Sequence, residues 1–256
     1  MFTFAGKLHI NNFSCIMANV IKIKKGLDIN LKGKASDVLL NGGKSDSYAI
    51  VPDYYNGIVP KVVAKVGEKV KAGSVLMIDK NRPEIKFVSP VSGEVTAVNR
   101  GEKRKVLSIV VKPDAQIEYE EFGKKNVASL QGAEVKEVLL NAGMWPFIKQ
   151  RPYDIVAAPL DTPRDIFVSA FYSAPLAPNF DFIVKGQEAD FQTGLNALAK
   201  LTNGKVYVGV RSGSVVSGMK GVEIVEVEGP HPAANVGVQI NHIKPVNKGE
   251  VVWTVN

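Results

Sequence analysis

A single cysteine, Cys15, stands in 256 residues. One thiol excludes an internal disulfide, a multi-thiolate metal site and a cysteine-ligated iron–sulfur cluster. The three histidines, His9, His231 and His242, are scattered and give no metal-ligand spacing. No Ser/His/Asp arrangement is visible, and His231 sits between two prolines with no nearby base. Long apolar runs are also missing. No charge-free stretch is longer than residues 166–180, which contain Pro175 and Pro178 and are too short to cross a bilayer. Residues 1–16 lack the cationic start and long apolar core of a signal peptide. Met17 opens a second candidate start, so 1–16 are expected to be a weakly ordered extension.

Charge is present but unevenly placed. Residues 61–112 hold twelve Lys/Arg against five Asp/Glu, a net of +7, which equals the net charge of the whole chain. A basic module of this kind suits nucleic acid, anionic lipid or an acidic protein. Phe87 is the only aromatic among those basic residues, which argues against nucleic acid. The remaining readings are partner docking and a solvated basic face.

The same region, residues 62–111, alternates short valine-rich runs with Gly, Lys and Asn turns. Runs that are rich in β-branched residues and bounded by turn formers read as antiparallel strands. Six of them suggest a small barrel or sandwich. VGEKVKAGSVL (66–76) and SPVSGEV (89–95) resemble the biotinyl/lipoyl carrier fold. That likeness makes Lys80, at a hairpin tip, the candidate modified lysine. The tip DKNRPEIKF (79–87) is longer than a carrier tip and contains Pro83, so an unmodified Lys80 is the favoured reading.

Before this module, residues 20–31 read as an edge strand with Lys22 and Lys24 facing solvent. NGGKSDSY (41–48) lacks the glycine spacing of a phosphate loop. After it, residues 113–125 are an acidic connector. Residues 133–142 place Val135, Val138, Leu139 and Ala142 on one helical face, ended by Gly143. Strands are expected at 153–159, 166–170, 206–210 and 222–227, with a helix carrying Phe191, Leu195 and Leu198. The alternation predicts an α/β domain with a largely parallel sheet. The resulting division is an extension at 1–16, a β-domain at 17–112, a connector at 113–130 and an α/β domain at 131–256.

A flavin or nicotinamide site on such a sheet needs a glycine-rich strand-to-helix turn. The corresponding region is read as NAGMWPFIKQRP (141–152), with one glycine and with Pro146 and Pro152 removing two amide donors. No tightly bound FMN or NAD is therefore expected.

Five motifs in collinear order carry a resemblance over residues 20–256. They are IKIKKGLD (21–28), WPFIKQRPYD (145–154), IFVSAFYSAPLAP (166–178), DFQTGLNALAKLT (190–202) and VEGPHPAANVG (227–237). Together they resemble the A subunits of sodium-translocating NADH:quinone oxidoreductases and, more distantly, the C subunits of Rnf complexes. The resemblance implies a lipoyl-like β-domain followed by a Rossmann-like domain related to the complex I flavoprotein. It implies a peripheral, cofactor-free subunit on the cytoplasmic face of the bacterial inner membrane. NAD and flavin would sit on partner subunits, which would also make the membrane contact. Quinone is the implied substrate of the complex. Gly229, Pro230, His231 and Pro232 then become candidates for contacting its headgroup, with Phe167, Phe171 and Tyr172 covering the ring. For those aromatics core packing is the competing role. The family continues beyond VVWTVN, so an N-terminal portion is expected. A carrier modified at Lys80 and a pure adaptor remain as alternatives.

Overall fold

In the computed structural model the described residues are 19–33 and 35–256. The expected extension, with His9 and Cys15, lies outside them, as do Met17 and Lys34.

The first described strands are β1 (Asn19–Lys22) and β2 (Tyr48–Ile50). Six strands follow where the valine-rich runs predict them: β3 (Pro60–Val62), β4 (Lys69–Val70), β5 (Val75–Asp79), β6 (Lys86–Val88), β7 (Gly93–Arg100) and β8 (Val106–Pro113). They form two antiparallel sheets, β2-β8-β7-β4 and β3-β5-β6. Leu76, Met77, Ile85, Phe87, Val95 and Ile109 are buried in their shared core. Leu76 and Met77 are neighbours and both point inward because the β5–β6 pairing slips between Val75 and Met77.

The connector returns across the β-domain before the second half begins. The Ala72 N–H donates to the Glu118 carbonyl and the Glu120 N–H to the Ala72 carbonyl. Helix α1 (Gly132–Asn141) comes next. Gly143 ends it at φ +68, and a Cβ there would lie 2.5 Å from Val88 of the β-domain. Then come β9 (Lys149–Arg151), β10 (Ile155–Val156), β11 (Ile166–Ser169), α2 (Phe180–Val184), α3 (Glu188–Ala199), β12 (Val206–Val210), β13 (Glu223–Glu228), α4 (Val236–Ile243) and β14 (Val252–Val255).

These strands build one seven-stranded sheet, ordered β1-β13-β12-β11-β14-β9-β10. The four pairings from β1 to β14 are parallel, and the two involving β9 are antiparallel. Trp145 and Trp253 are fully buried and meet edge to face at 5.2 Å beside this junction. The indole N–H of Trp145 donates to the Ala157 carbonyl at 2.8 Å.

Two expectations are corrected. The strand near residue 20 is an edge strand, with Lys22 and Lys24 exposed, but it pairs with β13. It thus belongs to the large sheet, although the sequence division placed it with the β-domain. Its apolar Ile21 and Ile23 face the cluster of Val225, Val227 and Ala233, which supplies the burial. The strand expected at 153–159 shrinks to two residues, because Tyr153 turns outward at 81% exposure and Asp154 takes φ +53.

Candidate functional site

Parallel α/β sheets open their ligand crevices beyond the carboxyl ends of their strands. Here β11 ends into Ala170 and Phe171, and β12 ends into Arg211 and Ser212. A cleft of about 1000 Å³ lies beyond them. Its far walls are α2 and residues 29–33 and 35–39. Pro175 and Pro178 keep the β11–α2 turn out of a helix, and Asn179 starts α2 by accepting the Asp181 N–H at 3.1 Å. The Asp181 carboxylate then accepts the Ser214 hydroxyl and the Val215 N–H, which fastens the turn after β12 to α2.

The lining is mixed: aliphatic and aromatic side chains share it with Asn30, Ser36, Asn179, Ser212 and Ser214, with one cation, Arg211, and with two carboxylates, Asp37 and Asp181. Phe171 is buried, and Tyr172 is 45% exposed and faces Phe180 with ring centroids 6.4 Å apart. The Arg211 guanidinium sits 5.2 Å from the Phe171 ring centroid. Among the described residues Arg211 forms no ion pair. An aromatic wall beside an uncommitted guanidinium suits a planar ligand that carries hydrogen-bond acceptors.

The Gly-Pro-His-Pro turn stands next to this cleft and holds the amino-terminal arm. The Ile23 N–H donates to the Glu228 carbonyl at 2.8 Å and the Leu27 N–H to the His231 carbonyl at 2.9 Å. The His231 N–H donates to Asp28 Oδ1 at 2.8 Å. Gly229 has φ +129, and a Cβ there would come within 2.3 Å of the Ile23 carbonyl. Gly26 meets the same limit from the other side, 2.3 Å from the His231 carbonyl. The described residues after this clamp, 29–33 and 35–39, form the wall.

The His231 ring reaches Ser173 rather than the cleft. Its Nδ1 lies 3.0 Å from Ser173 Oγ, which also accepts the Ala234 N–H at 3.0 Å. The Ser173 hydroxyl thus joins the His231 ring to the backbone of the same turn. Of the residues singled out in the sequence, Phe171 and Tyr172 line the cleft, while Gly229, Pro230, His231 and Pro232 stand behind it as the clamp. Phe167 is corrected to a core residue: it is buried under α4 with Val236, Ile240 and Val252 and stacks on Tyr207 at 5.0 Å.

The turn judged for nucleotide binding is also corrected. Residues 141–152 join α1 to antiparallel β9, whereas the first parallel strand-to-helix turn is 170–179. That turn, AFYSAPLAPN, contains no glycine. Arg211 and the wall at 29–33 and 35–39 escaped sequence reading. The signal for Arg211 was its place directly after a parallel strand, obscured because no helix follows β12.

Lys80 is exposed at the β5–β6 tip, but the tip is pinned. Asp79 is fully buried and pairs with Arg82 at 2.7 Å. Its Oδ1 accepts the Val59 and Asn81 N–H groups. Arg82 reaches on to the Val156 carbonyl of β10 at 3.1 Å and to the Gly57 carbonyl at 3.0 Å. The hairpin is thereby tied to the large sheet.

Fold and cleft define a class: a small antiparallel β-domain ahead of an α/β domain whose parallel sheet opens a cleft at its carboxyl edge. Residues 21–114 match the family described as the NqrA N-terminal barrel-sandwich hybrid domain, and residues 130–256 match the NqrA second alpha/beta domain. The chain belongs to the family of A subunits of Na(+)-translocating NADH-quinone reductase. It is 38% identical to that subunit of Hahella chejuensis over 241 residues, covering 92% of this chain and 54% of the relative. It is 37% identical over 238 residues to that of Photorhabdus laumondii, covering 91% and 53%. Against Neisseria meningitidis serogroup A it is 36% identical over 241 residues, covering 93% and 54%. The chain spans about half the length of the curated relatives it matches. Among the described residues no helix is long and apolar enough to cross a membrane.

Proposed function

We propose that this chain serves a sodium-translocating NADH:quinone reductase as a peripheral, cofactor-free module that docks on the other subunits and shapes quinone access. The observation that carries this reading is the cleft beyond β11 and β12, where Phe171, Tyr172 and Arg211 meet. Tyr172 supplies a face for a quinone ring beside the buried Phe171, and Arg211 supplies donors for its carbonyl oxygens. His231 sets the adjoining turn through Ser173.

Electron transfer and sodium movement then belong to partner subunits that hold NAD and flavin. The glycine-free turn at 170–179 supports this assignment, because a pyrophosphate needs close backbone amides that side chains there obstruct. The parallel order β13-β12-β11-β14 supports a Rossmann-like origin, and the two small sheets support a lipoyl-type one. The pinned tip around Asp79 and Arg82 favours a fixed platform over a swinging carrier arm. The placement is on the cytoplasmic face of the bacterial inner membrane.

A titration of the purified chain with a short-chain ubiquinone tests the reading. Saturable binding is expected, weakened about tenfold by Arg211→Ala, the loss of one charge-assisted hydrogen bond. Equal affinity in His231→Ala would remove His231 from the site. Visible flavin bands in the purified protein would refute the cofactor-free assignment, and a mass increment on Lys80 would favour the carrier alternative.

A further inference from the structure

We propose that the β7–β8 hairpin tip and the aromatic rim beside it form a docking surface for an anionic lipid bilayer. This goes beyond the quinone reading and does not depend on it. The tip, residues 100–105, presents Arg100, Lys103, Arg104 and Lys105 against the single acid Glu102, all of them exposed. Lys105 is matched by Asp53 at 2.7 Å. Arg100, Lys103 and Arg104 have no ion pair among the described residues. Lys103 and Arg104 both take left-handed backbone, at φ 51 and 61, where glycine or asparagine would sit more easily. The fold therefore holds two adjacent cations outward at some conformational cost.

Exposed apolar groups continue from this tip. Leu107 stands 44% exposed at its base, and Tyr54, next to Asp53, is 79% exposed. Tyr54 shares a groove of about 300 Å³ with Phe147 and Lys149 of the α/β domain. Phe147 is 56% exposed, and Tyr153, beside the groove residue Asp154, is 81% exposed. Uncompensated Lys and Arg beside tyrosines, phenylalanine and leucine is the composition that seats at the headgroup level of an anionic leaflet. The cations are attracted by the surface potential, and the amphipathic rings enter the interface. An acidic protein is the competing occupant, and the test below separates the two.

The test is co-sedimentation of the 256-residue chain with vesicles of phosphatidylcholine and with vesicles that also contain phosphatidylglycerol. Binding is expected only to the second kind and is expected to fall as salt is added. Lys103→Glu with Arg104→Glu should abolish it, and Tyr54→Ala with Tyr153→Ala should weaken it severalfold. Circular dichroism confirms that each variant folds; Lys103→Gln with Arg104→Gln replaces the reversal pair should that pair unfold. Quinone affinity should stay at its original value in every variant, so that failure here is separate from failure of the quinone reading. No binding to the anionic vesicles would overturn the proposal and point to an acidic protein partner. Equal binding by the charge-reversal variant would also overturn it.

Discussion

Asp79 and Arg82 show how much a single pair holds. Asp79 is fully buried, so its carboxylate depends on Arg82 and on the Val59 and Asn81 amides. Arg82→Ala would leave that charge buried with its cation gone, and is expected to cost about 3 kcal/mol in urea unfolding. Asp79→Asn with Arg82→Ala should cost less than Arg82→Ala alone, because the unpaired charge goes too. Asp165 is the second such residue. Burial pushes its carboxyl up, but hydrogen bonds from the Lys244 ammonium, the Lys205 N–H and the Arg164 guanidinium outweigh burial and hold the pKa below the usual carboxylate value. A depressed folded pKa means that this stabilisation is complete above the unfolded value of about 3.9 and is lost as pH falls through the folded value. Asp165→Asn should lower stability by about 2 kcal/mol near neutral pH and flatten the loss on acidification. An acid limb of unfolding that stays unchanged in the variant would contradict this role.

At the scale of elements, the amino-terminal arm couples the sheet edge to the cleft. Strand β1 pairs with β13, the Gly-Pro-His-Pro turn clamps residues 23–28, and residues 29–33 and 35–39 form a cleft wall. Gly229→Ala places a Cβ against the Ile23 carbonyl and is expected to cost about 2 kcal/mol. The arm should then open to trypsin at the exposed Lys24 and Lys25, read by limited proteolysis and mass spectrometry. Cleavage unchanged from the original protein would show that the clamp does not hold the arm. Elements with a strong local signal were legible in the sequence. The β-branched runs gave β3 to β8, and the period of Val135, Val138 and Leu139 with Gly143 gave α1. The partner of β1 was not legible, since an edge strand's apolar–basic alternation fits any sheet with a free edge. Helices α2 and α4 were missed because each starts within a few residues of a proline-containing turn that reads as loop. For the cleft, Phe171 and Tyr172 were legible from the motif around them. Phe167 is a core residue because its side of β11 faces α4, a helix the sequence pattern does not show.

At the scale of the molecule, the two halves share one continuous apolar core. Buried residues run from Leu76 and Phe87 of the β-domain through Trp145 to Val208 and Trp253 of the large sheet. Gly143 against Val88 and Arg82 on the Val156 carbonyl bridge the same seam. Such a seam suits a rigid body that presents a cleft on one edge and a basic, aromatic rim on another. The most direct measurement is photolabelling of the purified chain with a photoreactive quinone analogue, mapped by peptide mass spectrometry. The account predicts saturable labelling within residues 29–39, 170–183 and 211–214, suppressed by excess ubiquinone and reduced by Arg211→Ala. Labelling that is confined to other surfaces, or that excess ubiquinone leaves unchanged, would contradict it.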